Sequence, residues 1–224
     1  TAGAKAQWRN NTSSDAYDTL AGGLQIASVF SGANYSVAVP VQLHQLAVND
    51  QTWRRMWAVG LEYNRAYGAR QVGVSGQLGR LAYPGDYTRD AELGIVGAHL
   101  AWATTPNTNW SISVFYGNED VRADTAPQYG RRYGGTNVAL LHSMSAVWAV
   151  TGNVGWQTAR YAANDPVFGV TRDEQLSSAA LGLRHQWNRQ ASAQLRIDWW
   201  HNDANVSLYE YDRSQVSGVI AYEF

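Results

Sequence analysis

The 224-residue chain contains no cysteine, so disulfides, thiolate nucleophiles and cysteine metal sites are excluded. It is also short of charge: Asp, Glu, Lys and Arg make up 16% of it, against roughly 25% in ordinary globular chains. The formal net charge is -1, which leaves no basic footprint for nucleic acid. No apolar run approaches the ~20 residues of a membrane helix, and the mean hydropathy is only -0.35. Phosphate-binding glycine loops, HExxH and calcium-loop patterns are missing, so no metal or other cofactor is expected. An initiating Met and a signal peptide are also lacking. Beginning at Thr1, the chain reads as a mature product or an excised domain, with a secretion signal expected upstream.

What the chain has in quantity is aromatic residues: 12% of the total, with ten Trp and thirteen Tyr. Many aromatics with few charges require an apolar surface, yet the average hydropathy is near neutral. A transmembrane β-barrel reconciles the two, because its strands alternate apolar residues toward lipid with polar residues toward the lumen. The ending supports this. Ser214, Val216, Gly218, Ile220, Tyr222 and Phe224 occupy every second position up to the last residue, and a terminal Phe on an amphipathic strand is the ending of a bacterial outer-membrane barrel.

Alternation and turn residues together predict strands near 2–11, 17–30, 34–48, 52–67, 69–83, 90–104, 108–121, 132–143, 147–161, 172–187, 190–203 and 212–224. Twelve strands over the chain leave about nineteen residues per strand and loop, enough for a tilted ~10-residue crossing. The expected fold is therefore all-β: an antiparallel outer-membrane barrel with both termini periplasmic, forming a single domain over 1–224. Short turns at 31–33, 67–69, 105–107, 143–146 and 188–189 fall on the side of the termini. Longer connections near 84–89, 122–131, 162–171 and 204–211 fall on the other, as periplasmic turns and extracellular loops should. Asn49-Asp50-Gln51 breaks this pattern as a short outer loop. Pro40, inside a predicted strand, cannot donate to the ladder and argues for either a bulge or a slightly misplaced strand there. Gly68, Gly73, Gly76 and Gly79 suggest close strand packing or curvature.

The lipid face is readable from alternation: Tyr35, Val37, Val39, Val41 and Leu43 in one strand, Trp57, Val59, Leu61 and Tyr63 in the next. An interfacial girdle is expected from Trp57, Tyr63, Trp110, Tyr116, Trp148, Trp156, Trp199, Tyr222 and Phe224. The opposite face is mainly Ser, Gly, Ala, Asn and Gln, which suits a wet lumen better than the charged exterior of a soluble sandwich or lipocalin-like barrel. Lumen-lining candidates are Glu62, Arg184, Gln186, Gln194, Arg196, Asp198, Arg213, Gln215 and Glu223, with opposite charges expected to pair across neighbouring strands.

No catalytic residue is assigned and no enzyme is expected. His142 and Ser143 are adjacent in a strand, so they point to opposite faces and cannot form a nucleophile–base pair. His201 with Asp198 and Asp203 would be an acid–base or metal cluster at the outer rim, against solvated rim residues as the plainer reading.

Two segments carry a family likeness. Arg172-Asp173-Glu174-Gln175-Leu176 opens a strand, and His201-Asn202-Asp203-Ala204-Asn205-Val206-Ser207-Leu208-Tyr209-Glu210-Tyr211-Asp212-Arg213 leads into the last one. They resemble the C-terminal barrel of the surface lipoprotein assembly modifier family. That family has an Arg-Asp strand opening, an Asn-Asp-Ser-Asn-Ile loop with Ser where this chain has Ala204, a Tyr-Glu-Tyr-Asp-Arg segment and a closing strand ending in Phe. The resemblance implies a periplasmic tetratricopeptide domain upstream, a barrel of about fourteen strands, and a protein or lipoprotein client. The function expected is thus an outer-membrane translocation component that exports or displays protein substrates. A passive or polysaccharide-export porin-like channel is the alternative, and a structural or adhesive barrel using loops 83–89 and 122–132 a third. The partners expected are outer-membrane lipids, the barrel-assembly machinery acting on the C-terminal strand, the periplasmic domain and the exported client.

Overall fold

A computed structural model describes residues 2–9, 19–188 and 190–222. Its strands are β1 (Ala2–Arg9), β2 (Thr19–Ser31), β3 (Tyr35–Val48), β4 (Gln51–Tyr67), β5 (Arg70–Ala82), β6 (Ala91–Thr105), β7 (Thr108–Val121), β8 (Arg131–Ser143), β9 (Trp148–Asn164), β10 (Thr171–Gln186), β11 (Ala191–Ala204) and β12 (Tyr211–Tyr222). They form one twelve-stranded sheet in sequence order, and each neighbouring pair is antiparallel. This is an up-and-down arrangement, the topology that consecutive hairpins build. Among the described residues no ladder joins β12 back to β1.

The two faces can be told apart by geometry. Adjacent strands lie ~4.8 Å apart, so side chains two strands away meet only on the concave face of a curved sheet. Gln77 of β5 donates to Gln42 of β3 across β4, and Gln194 of β11 donates to Thr151 of β9 across β10. These positions define the inside. The alternate positions point outward and are exposed though apolar: Leu78 at 68%, Val96 at 59%, Leu181 at 60% and Ile197 at 53%. An apolar exterior around a polar interior inverts the soluble pattern and is what a membrane solvent selects.

The buried apolar residues are few, and several are small: Ala47, Ala58, Leu81, Ala91, Leu93, Ala126, Ala159 and Val206. Leu81, Ala91 and Leu93 sit near the loop end of the inner wall. Short 3-10 turns at Tyr87–Arg89, Pro127–Tyr129 and Ser207–Tyr209 occupy three of the long connections. Arg122 N–H donates to Asp90 C=O, and Ala162 N–H to Gly130 C=O, so the first two of these loops are each tied to the next hairpin.

Pro40 corrects one expectation. The β3–β4 ladder keeps one register from Ala38↔Glu62 to Val41↔Val59, with no bulge at Pro40. The ring is buried and seats over Gly60, where an added Cβ would lie 3.0 Å from Pro40 Cγ. The missing hydrogen bond is tolerated because Gly60 leaves room for the ring without bending the strand. The bulge lies further along, between Leu46 and Ala47, next to the tight Asn49-Asp50 turn. Both turn residues have positive φ, 48° and 59°, the mirror-image geometry favoured in two-residue hairpins and tolerated best by Asn and Asp after Gly.

Gly68, Gly73, Gly76 and Gly79 play different parts. Gly68 has φ 59° in its turn, Gly73 lies under the His99 ring, Gly79 packs against the backbone of Trp57, and Gly76 faces open space.

Candidate functional site in the lumen wall

Every described lumen candidate faces inward. Glu62, Arg184, Gln186, Gln194, Arg196, Asp198, Arg213 and Gln215 all share the parity that places Gln42, Gln77 and Thr151 inside; Glu223 lies outside the described residues. Among the described residues Arg184 and Arg196 have no carboxylate of a neighbouring strand within ion-pair distance. Arg184 donates to Gln186 at 2.7 Å, Arg196 to Asp198 at 2.8 Å, and Arg213 to Gln215. Each pair lies along one strand, at positions i and i+2. A long guanidinium stem reaches the next side chain on its own face, roughly 7 Å along the strand. Directly opposite Arg184 is Gln194, and opposite Arg196 is Ser217, neither of which is acidic.

Gly182 permits one cross-strand bond. A Cβ there would stand 2.5 Å from Thr151 Oγ1 and 2.7 Å from Gln194 Nε2, so its bare backbone is the gap through which Gln194 reaches Thr151 at 3.2 Å. Further round the wall, Asn137 and Asn153 exchange amide hydrogen bonds at 3.0 and 2.7 Å.

A second group of inward residues gathers at the loop end. Arg131 makes a two-pronged bond to Glu119, at 2.9 and 2.8 Å, and its guanidinium lies 5.1 Å from the Tyr133 ring. Arg172 is held between two rings, 3.5 Å from Tyr161 and 3.8 Å from Tyr209, with Glu174 at 3.2 Å. The register of β9 and β10 shifts between Thr171 and Asp173, where residues 161–163 of β9 oppose Arg172 alone; the irregularity lies in β9, and Arg172 keeps the inward parity of Glu174. Tyr209 completes the sandwich from the last loop. Its hydroxyl donates to Asp165 Oδ2 at 3.1 Å, while Asp165 Oδ1 accepts from the Val167 and Phe168 amides at 2.9 and 3.2 Å. The Asp165 carboxyl is held below its ordinary range, first by the Val167 N–H and then by its other donors and Arg172.

Glu119, Arg131, Tyr161 and Arg172 were missed as lumen residues. Strand parity was the available signal, but starting β8 at 132 put Arg131 in a loop. Arg172 shares the even parity of Arg184 and Gln186, so alternation could have placed it inward as well.

Across the described positions of β2 to β12, six arginines (Arg54, Arg131, Arg172, Arg184, Arg196, Arg213) and four carboxylates (Glu62, Glu119, Glu174, Asp198) face inward. Glu62, Ser75, Arg184 and Arg213 are exposed, so the wall is accessible to water between its packed clusters.

The outward face separates into belts. Trp57, Tyr116, Trp156 and Trp199 stand toward the loop end, and Tyr63, Trp110 and Trp148 toward the turn end, with aliphatic residues between them. Tyr222 occupies an outward register position opposite Ala191, and Phe224 lies outside the described residues. The histidine cluster is rearranged. His201 faces outward between Asp212 at 2.8 Å and Asp203 at 3.2 Å, whereas Asp198 is on the opposite face with Arg196. The alternation that separates neighbours in a strand also separates positions 198 and 201. His142 points outward to Thr108 at 3.0 Å, on the face opposite Ser143.

No family model matches the chain, and no curated protein does. Solved structures do. The NanC porin is 7% identical with a TM-score of 0.59, the match covering 100% of this chain and 98% of that one. The KdgM porin in complex with disordered oligogalacturonate is 8% identical with a TM-score of 0.52 over 100% and 98%. The outer-membrane channel DcaP of Acinetobacter baumannii is 11% identical with a TM-score of 0.54 over 98% and 67%. At these identities the likeness establishes fold. The chain has the fold of a bacterial outer-membrane β-barrel, the architecture its apolar exterior and polar interior require.

Proposed function

We propose that the barrel is a porin-like channel for small polar solutes, with a preference for anions such as acidic saccharides. The observation that carries this reading is the water-accessible inner wall, in which the described positions of β2 to β12 present six arginines and four carboxylates. A net positive lining raises the local concentration of anions and lowers their barrier to entry. The similar KdgM porin is described in complex with oligogalacturonate, a polyanionic sugar, which is consistent with such a lining. The packed clusters at the loop end would narrow the entrance and select by size. Liposome swelling tests the reading: proteoliposomes should swell faster in galacturonate than in an uncharged monosaccharide of the same size. Absence of swelling in both would overturn it.

A second reading, export or surface display of a protein or lipoprotein client, is favoured by one specific arrangement. The two segments that resemble the surface lipoprotein assembly modifiers converge in space. Asn205 accepts from Asp173 N–H at 2.9 Å and donates to Thr171 C=O at 2.8 Å, Asn202 donates to Tyr209 C=O at 2.8 Å, and Tyr209 covers Arg172. A shared loop architecture would explain why these residues occur together. Deleting the gene and measuring surface display of lipoproteins tests it, and unchanged display would remove it.

A further inference from the structure

The outer surface carries a second feature that the channel does not use. At the turn end of β4 and β5, Arg65 and Arg70 both point outward and are exposed. Arg65 lies opposite Tyr35, and Arg70 lies between Tyr67 and Trp102. Tyr35 stacks on Tyr63 with centroids 6.5 Å apart, and the Arg65 guanidinium is 5.1 Å from the Tyr67 ring. Among the described residues neither arginine has a carboxylate within ion-pair distance, and the nearest acid along the chain, Glu62, is on the inner face. The patch is therefore basic and aromatic with no acid beside it, at the level where lipid headgroups lie.

Directly along the same strands, toward the middle of the wall, the outer face is indented. Gly76 has nothing within 4 Å of an added Cβ, and Gly94 has only Leu78 at 3.7 Å. With Leu61, Leu78, Val96 and Tyr116 they line an open apolar groove of about 570 Å³. Six residues separate Arg70 from Gly76, or ~20 Å along the strand. At a tilt of ~40° this is ~15 Å along the membrane normal, half of the ~30 Å hydrocarbon core. One lipid molecule can thus place its headgroup on the arginines and its acyl chain in the groove.

We propose that this face binds an anionic glycerophospholipid of the periplasmic leaflet, its phosphate held by Arg65 and Arg70 and one acyl chain seated over Gly76 and Gly94. Charge complementarity selects the occupant. The comparable outer groove beside Gly152, lined by Trp110, Leu140, Leu181, Ile197 and Trp199, has no outward arginine at its turn end among the described residues and serves as the internal control. The site follows from the fold and is independent of whether the lumen conducts.

Spin-labelled phosphatidylglycerol and phosphatidylcholine in nanodiscs holding the full chain provide the test. Motionally restricted label should favour phosphatidylglycerol by several-fold, and each of R65Q and R70Q should cut the preference by up to about fivefold. Gly76→Leu should reduce the restricted fraction, and Gly152→Leu should leave the headgroup preference unchanged; retained heat-modifiability confirms that each variant is folded. Equal restriction of both lipids by the unmodified protein, or a preference that survives the double arginine substitution in folded protein, would overturn the proposal.

Discussion

Replacing Ile197 with Arg tests whether the outer face is solvated by lipid. Ile197 lies on the outward face of β11 between Leu181 and Val216 and is 53% exposed. It stands six residues from Ala191 at the turn end of the strand, which is again ~20 Å along the strand and ~15 Å along the normal at ~40° of tilt. That depth is the bilayer midplane, where an arginine on a barrel's lipid face costs about 2–4 kcal/mol. The folding equilibrium should fall by roughly 30- to 1,000-fold. Ile220, 78% exposed near the turn end of β12, should tolerate Arg at a cost of about 0–1 kcal/mol because the charge reaches the interface. Val219→Arg, facing the lumen opposite Gln194, should also cost little. Reversible urea unfolding from phosphatidylcholine vesicles, followed by Trp fluorescence, measures all three. If Ile197→Arg matches Ile220→Arg within about 0.5 kcal/mol, a size typical of innocuous surface changes, the assignment of a lipid-facing midplane is wrong.

Two other perturbations address the inner wall and the loops. Gly182→Val should destabilise the barrel by about 1–3 kcal/mol, because its side chain must displace Thr151 and Gln194; the urea midpoint reads it, and an unchanged midpoint would refute the close-approach argument. The loop 165–170 should depend on pH through Asp165, whose carboxyl is held below its ordinary value of 3.8. A depressed value favours the folded loop above the ordinary value and withdraws that support as pH falls through the folded one. Acid protease nicking of this loop should therefore stay slow down to about pH 4 and accelerate below, whereas Asp165→Asn should lose the pH dependence. An identical profile for both proteins would count against the Asp165 account.

The strands were legible because membrane barrels write both solvents into alternate positions. Trp57-Ala58-Val59-Gly60-Leu61 can be read directly, since a one-residue slip would put Trp57 and Leu61 into water. The expected segment 108–121 coincides with β7, and the other described strands lie close to their expected bounds. Alternation carries no information about partners along the concave face, however. Arg196 and Asp198 were recognisable as inward residues, but their bond along one strand depends on side-chain reach. The glycine at 182 acquires its meaning only from Thr151 and Gln194, 31 residues before it and 12 after it. Arg172 has the even parity of Arg184 and Gln186, so its direction was readable; what alternation could not show is its seat between Tyr161 and Tyr209, which depends on the last loop. Pro40 misled in the opposite sense, because the space provided by Gly60 is a property of the neighbouring strand.

The channel reading meets its most direct test in planar-bilayer recording of the purified chain under a potassium chloride gradient. A stable conductance with a reversal potential displaced toward chloride is expected from the excess of inward arginine, and Arg184→Gln with Arg54→Gln should move it toward zero. A bilayer that stays silent although folded barrel has inserted, or a conducting one that selects potassium, would contradict the account.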